Sequence, residues 1–404
     1  MSSWKTENWY VSHLNFLDEV TASITIRKKA VIHDVTLRDG GHSVGLVFGK
    51  DEQLEIAEAL DDLGISRIEV SSRPNPEDVE AAKIVASSGL NADIFTFLTT
   101  AEGRAGIDIA LKCGISNIVL GTAISDVAIN AANLTREKVI AQIIDAVTYA
   151  KDHGLFVTFF TIDSTRADSG FAIQTVNAGV NEAHADSVAV VDSYGVATPE
   201  AMRYLTKKYM ETVKGRVPVE VHCHNDFGLG LANAIAAFCA GAEVIHASFN
   251  GLGPKCGNPA TEEVAVCLKI LYGVDLNLRY EKLYGVSKLI EKLSKHPLAK
   301  NKPVVGEDVF SSESGSAIRS MEKPSYSPYN PTFVGQIPRL CLSKRSDLKA
   351  IQEKARMLEI IATEEQMKSM LKMVQVLSYN YGRAITDDEF KIIAYCCKEL
   401  SPTS

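Results

Sequence analysis

Val217-Pro218-Val219-Glu220-Val221-His222-Cys223-His224-Asn225-Asp226 is the stretch on which the reading of this chain turns. Apolar residues alternate up to Val221, the pattern of a buried strand. Residues two apart on a strand point the same way, so His222 and His224 project together from its end. Two imidazoles so placed can hold one divalent metal, and a single carboxylate would complete a facial set. Two hydrogen-bonded histidines at a strand end are the plainer alternative. The surrounding sequence has to decide between them.

Working outward, the same strand is one beat of a rhythm. From residue 30, short β-rich runs alternate with amphipathic helical runs, which is the pattern of βα units on a parallel sheet. Strands read near Ala30–Leu37, Arg67–Ser71, Asp93–Leu98, Asn117–Gly121, Phe156–Thr161, Ser187–Asp192, Pro218–His222 and Val244–Ser248. Helices read near 51–63, 75–88, 102–113, 135–153, 171–183, 198–213, 228–240 and 260–271. Thr135-Arg136-Glu137 and Thr198-Pro199-Glu200 are helix starts, the second with Pro in the first turn. Eight units predict an α/β fold closed as a (β/α)₈ TIM barrel of about 250 residues, rather than an open doubly wound sheet.

The flanks differ. Residues 1–29 form a lead-in with Trp4, Trp9, Tyr10 and Phe16, too apolar for a free tail and expected to pack on the main domain or on a neighbouring subunit. Residues 30–273 hold the barrel. Residues 274–404 read as a helix near 280–294, a Pro, Ser and Gly-rich loop over 297–337, and helices near 345–357, 363–380 and 386–399. This is a small, mostly helical C-terminal region.

A net charge of -8 with no basic tract argues against nucleic acid as a main partner. The eight cysteines show neither metal-knuckle spacing nor a secreted disulfide framework. There is no apolar signal core, and no run reaches the roughly 18 apolar residues of a membrane span. A reducing, cytoplasmic setting is the expectation.

In such a barrel the chemistry sits at the C-terminal ends of the strands. The first strand runs into Thr36-Leu37-Arg38-Asp39-Gly40-Gly41-His42, which puts Asp39 at the right end to join His222 and His224. Asn258, after strand eight, could add an oxygen. An O/N site with open positions suits Mg²⁺, Mn²⁺, Co²⁺, Zn²⁺ or Fe²⁺. Such an ion can bind a 2-oxo acid and stabilise its enolate, and Arg38 could offset the developing negative charge. Taken alone, Arg38-Asp39 would read as a buried ion pair.

These residues resemble a family pattern. Asp34-x-Thr36-Leu37-Arg38-Asp39-Gly40, His222-x-His224-Asn225-Asp226 and Gly251-x-Gly253 with Gly257-Asn258 are similar to motifs of the metallolyase TIM barrels. That superfamily (HMGL-like, pyruvate carboxyltransferase-like) includes 2-isopropylmalate, homocitrate and citramalate synthases, HMG-CoA lyase and 4-hydroxy-2-oxovalerate aldolase. The resemblance to the synthases runs from about residue 30 to 400. It takes in Val191–Pro199, Lys302–Gly306 and Glu313-Ser314-Gly315. It implies Asp39, His222 and His224 as metal ligands and Arg38 as the enolate-stabilising arginine. It also places Ser193 near the substrate carboxylate and Glu69 at an acidic active-site position.

The departures matter as much. The synthases usually read Arg-Asp-Gly-Glu-Gln after strand one, where Gly41-His42 stands here. They usually end strand five in Glu-Asp, where Ile162-Asp163 stands; Asp163 joins Ser193 and Asn258 as a substrate-binding candidate. They usually carry Glu-Arg in the strand-eight loop, where Pro254-Lys255 stands, and a histidine where Ala317 stands. An acetyl methyl proton is weakly acidic and needs a positioned base, which Ile162 and Ala317 cannot be. Arg38-Asp39-Gly40-x-His42 instead resembles the aldolase branch, in which the equivalent histidine is a base on the substrate hydroxyl. A neutral imidazole suits that role; a loop hydrogen bond is the plain alternative. Cys256 lies near a position where the lyases place a catalytic cysteine, offset by one residue.

The favoured expectation is therefore a metal-dependent aldolase or lyase acting through a 2-oxo acid enolate, with His42 as base. The alternative is Claisen condensation of an acyl-CoA with a 2-oxo acid. A third reading is a non-catalytic metal-binding regulatory protein, against which the intact Arg38, Asp39, His222 and His224 weigh. The resemblance also implies a homodimer. The absence of a further domain before residue 404 predicts no amino-acid feedback control.

Overall fold

Val31–Asp34 (β1), Arg67–Val70 (β2), Asp93–Thr99 (β3), Asn117–Ala123 (β4), Phe156–Ile162 (β5), Ser187–Asp192 (β6), Val219–Cys223 (β7) and Val244–Ala247 (β8) pair in parallel in chain order and close into a barrel. The computed structural model describes residues 4–399 apart from 23, 26, 28, 73, 74, 319, 322 and 325. Closure is made by β1 on β8, with Val31 opposite Val244 and His33 opposite His246. Helices cover the outside and side chains fill the inside, so these strands are buried on both faces and rich in Val, Ile and Phe. Phe95, Phe97, Val119, Phe160 and Val191 form one interior cluster.

Local chemistry sets the element ends. Thr135 and Thr198 cap their helices, accepting from the backbone N–H of Lys138 and Ala201, and Pro199 occupies the first turn after Thr198. Three differences from the sequence reading have physical causes. β1 stops at Asp34, because Oδ1 of Asp34 accepts from the N–H of Thr36 and the carbonyl of Val35 accepts from the N–H groups of Asp39 and Gly40. Arg38 and Asp39 therefore stand on a turn above the strand. The helix read over 171–183 is an α-helix, Ser169–Val176, that widens to a π-helix over Asn177–Glu182. Gly179 in that π turn lies against the ring of Phe159, where a Cβ would come within 2.6 Å. An extra helix, Asp126–Ala131, follows β4, started by the Ser125 side chain accepting from Ala128 N–H.

The chain forms two compact units, Leu14–Pro297 and Met1–His13 with Leu298–Ser404. The helix Leu283–Ser294 packs on the helix Lys50–Leu63, so the barrel unit continues past residue 273, where the strand–helix rhythm stops. The other unit is built on the helices Leu348–Met357, Glu364–Tyr381 and Asp387–Glu399, closed around Ile351, Met370, Val374, Phe390 and Ile393. Of the aromatic lead-in, expected on the main domain or a neighbouring subunit, Trp9 instead packs within this second unit, its ring edge-on to Phe333 at 5.7 Å. Among the described residues no helix is long and apolar enough to cross a membrane. All eight cysteines are free.

Candidate active site

At the end of β7, His222 and His224 project together, their Nε2 atoms 3.3 Å apart. The turn after β1 brings Asp39 to the same point, with Oδ2 3.5 Å from Nε2 of His222 and 3.7 Å from Nε2 of His224. All three side chains are buried. Among the described residues Oδ2 of Asp39 has no hydrogen-bond partner, and neither has the buried Oδ1 of Asn258, whose Nδ2 lies 3.3 Å from Nε2 of His222. Gly253 makes room for Asn258: a Cβ there would overlap its amide oxygen.

This donor set fits a divalent cation. Burial depresses the pKa of His222; burial and the neighbouring His222 push that of His224 down to about 4. Both rings are therefore neutral near pH 7 and carry lone pairs, as metal ligation requires. Burial opposes ionisation of Asp39, but the Arg38 guanidinium outweighs it and holds the carboxyl well below its usual range. An ionised, half-unpartnered carboxylate facing two neutral imidazoles is costly as it stands, and a cation at their centre would satisfy all three. The rings are oriented by packing, with His222 edge-on to Phe160 at 5.1 Å.

Arg38 borders this group. Its Nη1 donates to Oδ1 of Asp39 at 2.7 Å, its Nε to Oε1 of Glu69 at 2.6 Å, and its Nη2 to Oε2 of Glu69 at 3.4 Å. The guanidinium also lies over the Phe97 ring, 4.5 Å from its centroid. Glu69 is fully buried and gives both oxygens to Arg38 and His33, so its geometry is that of a group holding Arg38. His42 is one-third exposed, with Nδ1 3.9 Å from Oδ1 of Asp39. Arg38 and His42 line one cavity of about 190 Å³ together with Gln53 and Ser71.

The substrate-binding candidates are differently placed. The Ser193 hydroxyl accepts from the N–H of Asp163 at 2.9 Å. Asp163 is buried, in a left-handed backbone conformation, and both its oxygens accept from Arg166 at 2.8 Å. That fork leaves Asp163 as an anchor for Arg166, which stacks 3.6 Å over the Tyr194 ring. Lys255 approaches the same ring and pairs with Asp226 at 3.0 Å. Ile162 lines a separate, largely apolar cavity of about 180 Å³ with Gly121, Thr122 and Ile129. Cys256 is exposed on its loop. In the C-terminal unit, Ser311, Ser312, Glu313 and Ser314 line a cavity of about 720 Å³ with Arg345 and Arg383.

The sequence reading did not single out Arg166 or Tyr194, nor a second buried group, His33, Glu220 and His246, whose ligand atoms also lie within 4.8 Å of one another. The alternation of β1, β7 and β8 was the available signal, since His33, Glu220 and His246 all occupy inward positions on those strands.

Fold and site together define a (β/α)₈ barrel enzyme with a candidate His₂–Asp metal centre at the strand ends. The HMGL-like family model matches residues 29–290, and the chain belongs to that family. It is an enzyme of the isopropylmalate synthase-like superfamily. It is 37% identical to an (R)-citramalate synthase from Methanocaldococcus jannaschii, over 90% of this chain and 73% of that one. A homocitrate synthase from Methanopyrus kandleri is 36% identical over 94% of this chain and 95% of its own. Among solved structures, an HMG-CoA lyase from Bacillus subtilis shares the fold with a TM-score of 0.60 at 21% identity, over 68% of this chain and 97% of that one.

Proposed function

We propose that the chain makes or breaks a carbon–carbon bond through the enolate of a 2-oxo acid, in the aldol direction, with His42 as base. The observation that carries this reading is the shared cavity: Arg38 and His42 line one small space beside Asp39. Asp39, His222 and His224 would hold one divalent ion, with Asn258 beside them. When bound, that ion supplies Lewis-acid polarisation of the oxygens of a 2-oxo acid. The ligand set is compatible with Mg²⁺, Mn²⁺, Co²⁺ or Zn²⁺.

The chain's own residues supply the rest. His42 takes the proton of a 4-hydroxyl group. The C3–C4 bond then breaks, a carbonyl compound leaves, and its electron pair becomes the enolate of the remaining 2-oxo acid. Arg38 keeps a fixed positive charge beside that position. Three of its five N–H groups are engaged by Asp39 and Glu69, which hold its orientation and leave two for the substrate. Glu69 acts here by positioning Arg38. Proton return to C3 completes the reaction.

A second reading, Claisen condensation of an acyl-CoA with a 2-oxo acid, is favoured by the named relatives, which are citramalate and homocitrate synthases. The residues at 162, 254 and 317 weigh against it, being Ile, Pro and Ala. The deciding experiment offers metal-loaded protein 4-hydroxy-2-oxo acids in one assay, and acyl-CoA with 2-oxo acids in another. Aldehyde or ketone release in the first supports the aldol reading. Free CoA thiol in the second, with nothing from the first, replaces it. A homodimer is part of the same proposal, and so is a reducing, cytoplasmic setting, which the eight free cysteines support.

A further inference from the structure

Below the metal group the barrel carries a second polar layer that the proposed reaction does not use. His33 on β1 and His246 on β8 stack face to face, with centroids 4.3 Å apart and planes 12° from parallel. Nε2 of His33 lies 2.8 Å from Oε2 of Glu69, and Nε2 of His246 lies 2.7 Å from Oε2 of Glu220. Glu220 also accepts from Arg67 at 2.9 Å and Ser187 at 2.7 Å. His33, Glu69, Glu220 and His246 are fully buried. Ionised carboxylates only accept, so each Nε2 carries a proton and donates it.

The layer is poorly shaped for a second metal ion. Imidazole lone pairs lie in the ring plane, and two rings stacked face to face cannot aim both at one point between them. Its connections run upward instead. The fork between Arg38 and Glu69 is asymmetric: Nε reaches Oε1 at 2.6 Å, whereas Nη2 reaches Oε2 at only 3.4 Å. Oε2 is the oxygen already committed to His33. A symmetric fork would roll the guanidinium toward Glu69 and draw Nη1 away from Asp39, to which it now donates at 2.7 Å. His33 is itself held from both sides, by the His246 face and by the edge contact with Phe95 at 4.8 Å.

We propose that His33, backed by His246 and Glu220, is a positioning residue that sets the roll of Arg38 between Glu69 and Asp39. For its kinetic consequence the inference rests on the proposed enolate chemistry; the geometric claim stands apart from it. The layer tunes a charge that matters at bond cleavage rather than at substrate capture. Its loss therefore lowers kcat and leaves KM nearly unchanged. Partners of this kind typically contribute about 10–100-fold to activity.

The test compares His33→Phe, which keeps a ring but no donor, with His33→Gln, which keeps a donor. With metal content confirmed equal, H33F is expected to lose about 10–100-fold in kcat with KM within about threefold of wild type. H33Q is expected to recover most of that loss. If H33F is insoluble, His33→Met carries the same comparison. Equal kcat in H33F and wild type, or no rescue by H33Q, overturns the inference. A second arm needs no substrate. The ¹⁵Nε resonance of Arg38, assigned by its absence in Arg38→Lys, is expected to shift and its hydrogen to exchange faster in H33F but not in H33Q. An unchanged Arg38 resonance in H33F overturns the inference even if activity falls. Failure of wild type to turn over any 2-oxo acid would sink the functional reading and leave this arm to decide the positioning claim.

Discussion

Arg38 and Asp39, adjacent in the chain, form an ion pair of 2.7 Å that uses only Oδ1 of the carboxylate and leaves Oδ2 turned toward His222 and His224 without a hydrogen-bond partner among the described residues. One oxygen anchors a permanent cation and the other is available to a metal ion. The dipeptide thus joins two parts of the proposed site.

The metal assignment predicts that His222→Ala removes both the ion and the activity. Elemental analysis of purified protein is the check. A variant that keeps a full equivalent of metal would place the ion elsewhere.

His42→Ala should keep fold and metal but lose about 10²–10⁴ in retro-aldol turnover, the usual contribution of one general base. His42 is one-third exposed, so its removal disturbs little packing. Steady-state rates on 4-hydroxy-2-oxo acids decide it, and an unchanged rate removes His42 from the mechanism.

Gly253→Ala tests the loop that seats Asn258. Gly253 has φ of +155°, and a Cβ there would collide with the Asn258 amide. Strain of this type costs about 1–3 kcal/mol, and displacing Asn258 should weaken metal affinity by about 10–100-fold. Urea unfolding and metal titration read the two effects; a variant with wild-type affinity would show that Asn258 does not support the centre.

Glu69 predicts an acid-sensitive contribution to stability. Burial opposes its ionisation, but Arg38 and His33 outweigh burial and bring its pKa from 4.5 to about 2. The unfolded chain binds the proton more tightly, so this stabilisation is complete above about pH 4.5 and is lost as pH falls toward about 2. The stability gap between wild type and Glu69→Gln should narrow from pH 5 to pH 3, measured by urea midpoints. A gap constant over that range would mean that Glu69 is not the ionised anchor.

The homodimer is tested by sedimentation at micromolar concentration. A species of about twice 43.9 kDa is expected, and a lone 43.9 kDa boundary would refute it.

The sequence by itself determined the barrel and pointed to half of the candidate site. Strand and helix periodicities are local, so Val217–Asp226 and its seven counterparts could be counted without a structure, and residue spacing put His222 and His224 on one side of β7. The position of Arg38 and Asp39 after strand one and of Asn258 after strand eight put them at the same end of the predicted barrel. The tertiary structure alone decided what those groups touch. That β1 ends at Asp34 and lifts Arg38 and Asp39 onto a turn depends on hydrogen bonds to Val35 and Asp34. That Glu69 and Asp163 are spent on Arg38 and Arg166 depends on side-chain reach across strands, which spacing along one strand cannot show. The stacked His33–His246 pair joins residues more than two hundred positions apart. Only the closure of β1 onto β8 makes them neighbours, because register between distant strands is set by the whole barrel and not by either segment.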